Sequence, residues 1–148
     1  MGLLTNEIRI FIDKQKLGYV ATVSPDNTPN LSPKGTISVW DDEHLVFADI
    51  KSPKTITNLE KNPSIEINVV DPMTRRGYRF KGLGTILSYG EEYDKIISHY
   101  QKIGIKSKIG RVVLIKIIIV KDVTSPLYDL GYTEDEIKKR WKNHYFSS

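Results

Sequence analysis

Apolar and polar positions along this chain switch repeatedly between two periods. Near the start, Leu4, Ile8, Phe11 and Ile12 recur at helical spacing with polar residues between them. That pattern predicts an amphipathic helix over 3–16, with Gly18 as its terminator. From Tyr19 the period drops to two. Residues 19–23 predict a strand and 24–27 a turn, and 30–39 and 44–49 predict two further strands separated by Asp41, Asp42 and Glu43. A short helix over 53–61 stops at Asn62-Pro63, because the residue before a proline disfavours helical backbone. Ile65, Ile67 and Val69 alternate with polar residues in a strand over 64–70, and 71–77 reads as a loop. The strand over 78–87 contains Gly82 and Gly84, which mark a bulge or a close backbone approach. Tyr93, Ile96, Ile97 and Tyr100 share one face of a helix over 91–103, and a long strand covers 111–123. Thr133 and Glu136 have the form of a capping box, opening a C-terminal helix to about Asn143.

Six strands with few intervening helices predict a mainly β (α+β) fold, a six-stranded antiparallel barrel that is closed or partly open. Helices would cover its ends and open side. No repeat, low-complexity tract or linker interrupts the 148 residues, so a single domain over 1–148 is expected. The longest apolar run, 112–120, is broken by Lys116 and falls well short of the roughly 20 residues that span a bilayer. The first residues lack a secretory signal, so a cytoplasmic location and no membrane partner are expected. With no cysteine, disulfides, thiolate catalysis and cysteine-held metals are excluded. His44, His99 and His144 are scattered and have no partner at ligand spacing, so no metal site is expected. A formal charge of +4 favours an anionic partner. The densest basic clusters, Arg75-Arg76 and Lys138-Lys139-Arg140, are short, and a solvated face accounts for most of them.

The informative stretch is Ala48-Asp49-Ile50-Lys51-Ser52-Pro53-Lys54-Thr55. A strand ends here and a helix begins, with Ser52 as its N-cap and Pro53 at the first helical position. A capping box would place an acidic residue three positions after the serine. Thr55 is there instead, preceded by Lys54, a cation at the positive end of the helix dipole. Two readings fit: a solvated surface lysine, or an anion held by free amides, the Lys54 ammonium and the Ser52 and Thr55 hydroxyls. A phosphate is the natural anion. A second stretch, Asn30-Leu31-Ser32-Pro33-Lys34-Gly35-Thr36, has strand length yet carries a proline and a glycine. It reads either as an irregular edge strand or as backbone free to bond a flavin's pyrimidine edge.

In this order, a strand with Pro-Lys-Gly, an acidic turn, Leu-Val-Phe-Ala-Asp, then Lys-Ser-Pro-Lys-Thr opening a helix that ends in Asn-Pro, the chain resembles the pyridoxamine 5′-phosphate oxidase-like FMN-binding split barrels. The likeness spans about residues 11–87. The resemblance implies that Lys54 and Thr55 hold the FMN phosphate, with Ser52 assisting and Pro53 at the same helix start. It implies that Ser32, Pro33, Lys34 and Gly35 line the isoalloxazine ring and ribityl chain, and that the backbone of Ala48, Asp49 and Ile50 faces the flavin. Tyr78, Arg79 and Lys81 match a strand that supplies basic contacts. It further implies a homodimer packed barrel against barrel, each flavin touching both subunits. Lys54-Thr55 stands where the oxidases proper carry Arg-Lys, and the C-terminal 142–148 lacks their substrate-gripping segment, so synthesis of pyridoxal phosphate is not expected.

The function this resemblance implies is an FMN-dependent oxidoreductase or electron-transfer flavoprotein, with a small-molecule redox substrate or an electron-transfer partner. The flavin carries the chemistry, so no catalytic side chain is assigned. Alternatives on the same barrel are non-catalytic binding of FMN, haem or a deazaflavin. A nucleic-acid-binding barrel is disfavoured by the lack of closely spaced aromatics for base stacking. Trp141 and Tyr145 share a helical face that either packs on the barrel or reaches a partner's flavin.

Overall fold

The computed structural model describes residues 2–147. Seven antiparallel strands form one sheet in the order β2-β1-β5-β6-β7-β4-β3. They are β1 (Gly18–Val23), β2 (Pro29–Lys34), β3 (Ser38–Val39), β4 (His44–Asp49), β5 (Ser64–Val70), β6 (Arg76–Leu87) and β7 (Arg111–Thr124). The helices are α1 (Asn6–Gln15), α2 (Pro53–Lys61), α3 (Glu91–Lys102) and α4 (Glu134–Phe146).

The connection between β2 and β3 dictates the shape. These strands are consecutive in the chain yet occupy opposite edges of the sheet. Laid flat, seven strands would separate the edges by roughly 29 Å. The link from Lys34 to Ser38 can reach only about 14 Å. The sheet therefore curls into a barrel split along one seam, and residues 35–37 bridge that seam. The expected single strand over 30–39 is thus two strands, which raises the count from six to seven. Thr36 explains the break: its Oγ1 accepts the Ala48 amide at 3.0 Å, and its carbonyl accepts the Tyr100 hydroxyl at 2.7 Å. A side chain and a carbonyl engaged in this way leave no regular ladder.

Strand β4 is buried along its length because both of its faces are covered. Leu45 and Phe47 point into the barrel with Val20, Ile67, Phe80 and Ile115. Val46 and Ala48 point outward, under Ile96 and Tyr100 of α3. Ile8 and Ile12 of α1, with Leu4 just before the helix, pack against the barrel core. Helix α1 ends at Lys16, which takes the left-handed conformation (φ 56°). Gly18 is not its terminator; it opens β1, where an added Cβ would lie 2.5 Å from Ile37. At the expected bulge, register shifts between Lys81 and Gly82, and a Cβ on Gly82 would meet the Lys116 carbonyl at 2.3 Å.

After β7 a 3-10 turn (Pro126–Tyr128) leads to α4, which is opened by the expected capping box. Arg75 stacks its guanidinium 3.7 Å from the centre of the Trp141 ring and donates to Tyr145 Oη at 3.0 Å. Trp141 therefore packs on its own chain's β5–β6 loop.

Candidate functional site

The start of α2 is built from three directions. Helix α2 is anchored by buried Ile56 and Leu59 and by Asn58, whose Nδ2 donates to Thr22 Oγ1 at 3.0 Å inside the protein. Strand β4 delivers Asp49, and its carboxylate accepts the Ser52 amide at 3.0 Å. Arg111, opposite Asp49 in the β4–β7 register, places Nε 3.9 Å from the same carboxylate. From the edge strand β2 comes Lys34, only 6% exposed, with Nζ 5.7 Å from the centre of the Phe47 ring.

The Ser52 hydroxyl accepts a hydrogen bond from the Lys34 ammonium. It therefore does not cap α2: Ser52 has φ −140°, ψ 57° and makes no side-chain bond to the first turn. Ser52 holds the expected N-cap position, but the expected side-chain cap is corrected. Its physical cause is competition, because a buried ammonium needs an acceptor more than a neutral amide does. Pro53 has no amide to satisfy, and the first helical amide with a protein acceptor is Ile56, bonded to the Ser52 carbonyl at 3.3 Å. The amides of Lys54 and Thr55 have no protein acceptor among the described residues. Lys54 is exposed and makes no ion pair among the described residues, while Thr55 is buried. Asp26 on the neighbouring turn is held below the ordinary carboxylate range, chiefly by the Thr28 hydroxyl and least by the charge of Lys54.

This corner thus concentrates two lysines, free amides and hydroxyls with no acid in the helix's first turn. Burial pushes the Lys34 ammonium below its usual value, and Asp49 only partly opposes that. Among the candidate residues, Lys34, Asp49, Ser52, Pro53, Lys54 and Thr55 come together here, with Gly35 next to Lys34 and Ile50 next to Asp49. Strand β2 pairs with β1 alone, leaving the outer edge at Ser32 and Pro33 open, as an edge strand with proline requires. Ala48 is otherwise engaged: its amide bonds Thr36 and its side chain lies under α3. Arg79 and Lys81 face the outside of the barrel and bond Glu66 at 3.2 and 4.0 Å. Tyr78 points the other way, edge-on to Phe11 of α1, and burial, then Glu7 and Asp122, raise its phenol. Arg111 and Thr36 were not identified from the sequence, because nothing local to them indicates that Asp49 or Ala48 will be their neighbour.

A curled antiparallel sheet with a cationic corner at its seam defines a split-barrel protein. The chain belongs to the pyridoxamine 5′-phosphate oxidase family, whose model matches residues 4–121. Among solved structures it is similar to HupZ of Group A Streptococcus, with 30% identity and a TM-score of 0.74, covering 82% of this chain and 94% of that one. It shares the fold of an FMN-binding protein from Syntrophomonas wolfei (19% identity, TM-score 0.71, 82% and 87% covered). It also shares the fold of an F420 reductase (18% identity, TM-score 0.60, 79% and 98% covered). No curated protein matches the chain. No described helix is long and apolar enough to cross a membrane.

Proposed function

We propose that the protein binds FMN at the start of α2 and acts as an oxidoreductase or electron-transfer flavoprotein, as a homodimer. The observation that carries this reading is the diverted Ser52 hydroxyl. It leaves the first-turn amides of α2 free beside a buried lysine, an arrangement that a phosphate dianion satisfies. Lys34, Lys54, Thr55 and the amides would hold the phosphate. Contact between the Lys34 ammonium and the helix start supports a role for Lys34 at the phosphate end rather than along the ring. The free edge at Ser32 and Pro33, with Gly35 and Ile50 beside the corner, offers backbone groups to the ring system. Bound flavin supplies hydride or electron transfer; the chain's own residues position it and exclude water.

The dimer reading is supported by the outer face. Tyr19, Leu31, Leu83, Ile118 and Ile119 are exposed there, around a groove of about 400 Å³ that includes Lys81. Lys81 and Arg79 point away from their own chain's Lys34, so they reach a flavin only from a second copy. A deazaflavin is the second reading, favoured by the fold shared with an F420 reductase. The test is an absorption spectrum of the purified protein followed by FMN titration, with light scattering for mass. A flavin spectrum, saturable uptake and a dimeric mass are expected. A colourless protein that does not take up FMN refutes the reading.

A further inference from the structure

Resting on the flavin reading, we propose that Lys34 makes this site select a phosphate dianion and couples its loading to a proton. On binding, the ammonium transfers from the Ser52 hydroxyl to the ligand, and an uncharged Lys34 does not hold the ligand.

The surroundings of Lys34 carry this. An ammonium has three N–H donors, and the one protein acceptor here among the described residues is the neutral Ser52 hydroxyl. From β4 it meets the Phe47 ring and the charge of Asp49, but Asp49 is already engaged by the Ser52 amide and faces Arg111 of β7. From α2 the charged neighbour is Lys54, a second cation. From α1 the Lys16 carbonyl approaches Gly35, and the Lys16 side chain is exposed. Lys34 makes no ion pair among the described residues. A buried cation in this state is relieved either by losing its proton or by gaining an anion. The Ser52 hydroxyl is a weaker partner than a phosphate oxygen, so the ligand displaces it.

Burial lowers the Lys34 value in the empty protein, and a bound dianion raises it again. Between the two values, loading takes up a proton, so affinity falls as pH rises, approaching about tenfold per pH unit. Below that window affinity is flat, until the phosphate's own second ionisation near about pH 6. A neutral ring with no phosphate shows no such dependence.

The experiment titrates the unliganded full chain with FMN, riboflavin and inorganic phosphate between about pH 6.5 and 9.5 at constant ionic strength. Flavin fluorescence reports the first two ligands and thermal shift the third. Wild type is compared with Lys34→Arg and Ser52→Ala. The expected result is an FMN affinity that declines toward alkaline pH in wild type and stays level in Lys34→Arg, because guanidinium keeps its charge. In Ser52→Ala the decline begins at lower pH, because the ammonium has lost its acceptor. That variant carries the test if Lys34→Arg does not fold. A wild-type curve as level as the arginine variant's, or a riboflavin curve parallel to the FMN curve, overturns the proposal. FMN binding that is tight but independent of pH keeps the flavin reading and removes this one. Inorganic phosphate that follows the alkaline decline while FMN does not bind keeps Lys34 and removes the flavin. Binding of neither ligand removes both.

Discussion

At the start of α4, Thr133 sits at φ −82°, ψ 162°, and its Oγ1 accepts the Glu136 amide at 3.2 Å. Glu136 returns the bond to the Thr133 amide, and three acids occupy the first turn. At the start of α2, Ser52 sits at ψ 57°, its hydroxyl serves Lys34, and the first turn holds no acid and one lysine. Both segments are hydroxyl-led helix starts in the sequence. The first satisfies its own amides and dipole. The second keeps its hydroxyl away from the helix and surrounds the free amides with cations. The difference lies in one neighbour, a buried lysine delivered by a strand from elsewhere in the chain. A helix start whose natural cap is diverted keeps its first-turn amides free.

The comparison is broken most strongly at Lys34. In Lys34→Met, FMN affinity should drop on the order of 100-fold, since a charge-assisted bond to phosphate is lost. The melting temperature should hold or rise, because a buried charge without an ionic partner is removed. Titration and thermal unfolding check both. A large fall in melting temperature would assign Lys34 to the fold instead of the ligand.

A smaller effect, roughly tenfold weaker FMN binding, is expected for Lys54→Ala with Thr55→Ala. Because Lys54 is exposed, its share should shrink as salt is raised, whereas the share of buried Lys34 should not. Titration at two ionic strengths separates them.

The two helix starts are sharpened by paired alanines. Thr133→Ala should destabilise the protein by about 1 kcal/mol, the usual value of an N-cap, with FMN affinity unchanged. Ser52→Ala should lower the melting temperature only while Lys34 is present, since what is lost is the acceptor of a buried ammonium and not a cap. Destabilisation by Ser52→Ala that persists undiminished in a Lys34→Met background would show that Ser52 caps α2 after all.

The smallest effect is in pH. The Lys34 value is lowered in the folded state, so the unfolded chain binds more protons between the folded value and about 10.5. Stability of the unliganded protein should therefore rise with pH through that window, opposite to its FMN affinity, and the rise should vanish in Lys34→Met. Tyr100 opposes it above about pH 10: burial raises its phenol in the folded state, and that contribution is lost as the unfolded tyrosine ionises. Thermal unfolding below that point isolates Lys34.

Much of the fold was legible because it follows from local rules. The Leu4-Ile8-Ile12 stripe, the Ile65-Ile67-Val69 alternation, the bulge at Gly82 and the Thr133 capping box each lie within a few residues and depend on backbone geometry alone. The break inside 30–39 was not legible, because it depends on Thr36 meeting Ala48 and Tyr100. Of the candidate site, the cationic helix start at Lys54-Thr55 stood out as a departure from capping chemistry. The Ser52–Lys34 bond and the Arg111–Asp49 pairing did not, because the partners lie on different elements.

The sequence by itself determined most of the helices and strands and that a lysine stands where a helix dipole disfavours one, since period, propensity and capping act over one or two turns. Tertiary structure alone decided that the two edge strands meet across a seam, that Lys34 is buried there, and that Ser52 turns toward it. Burial and hydrogen-bond competition arise only once distant segments share the same space.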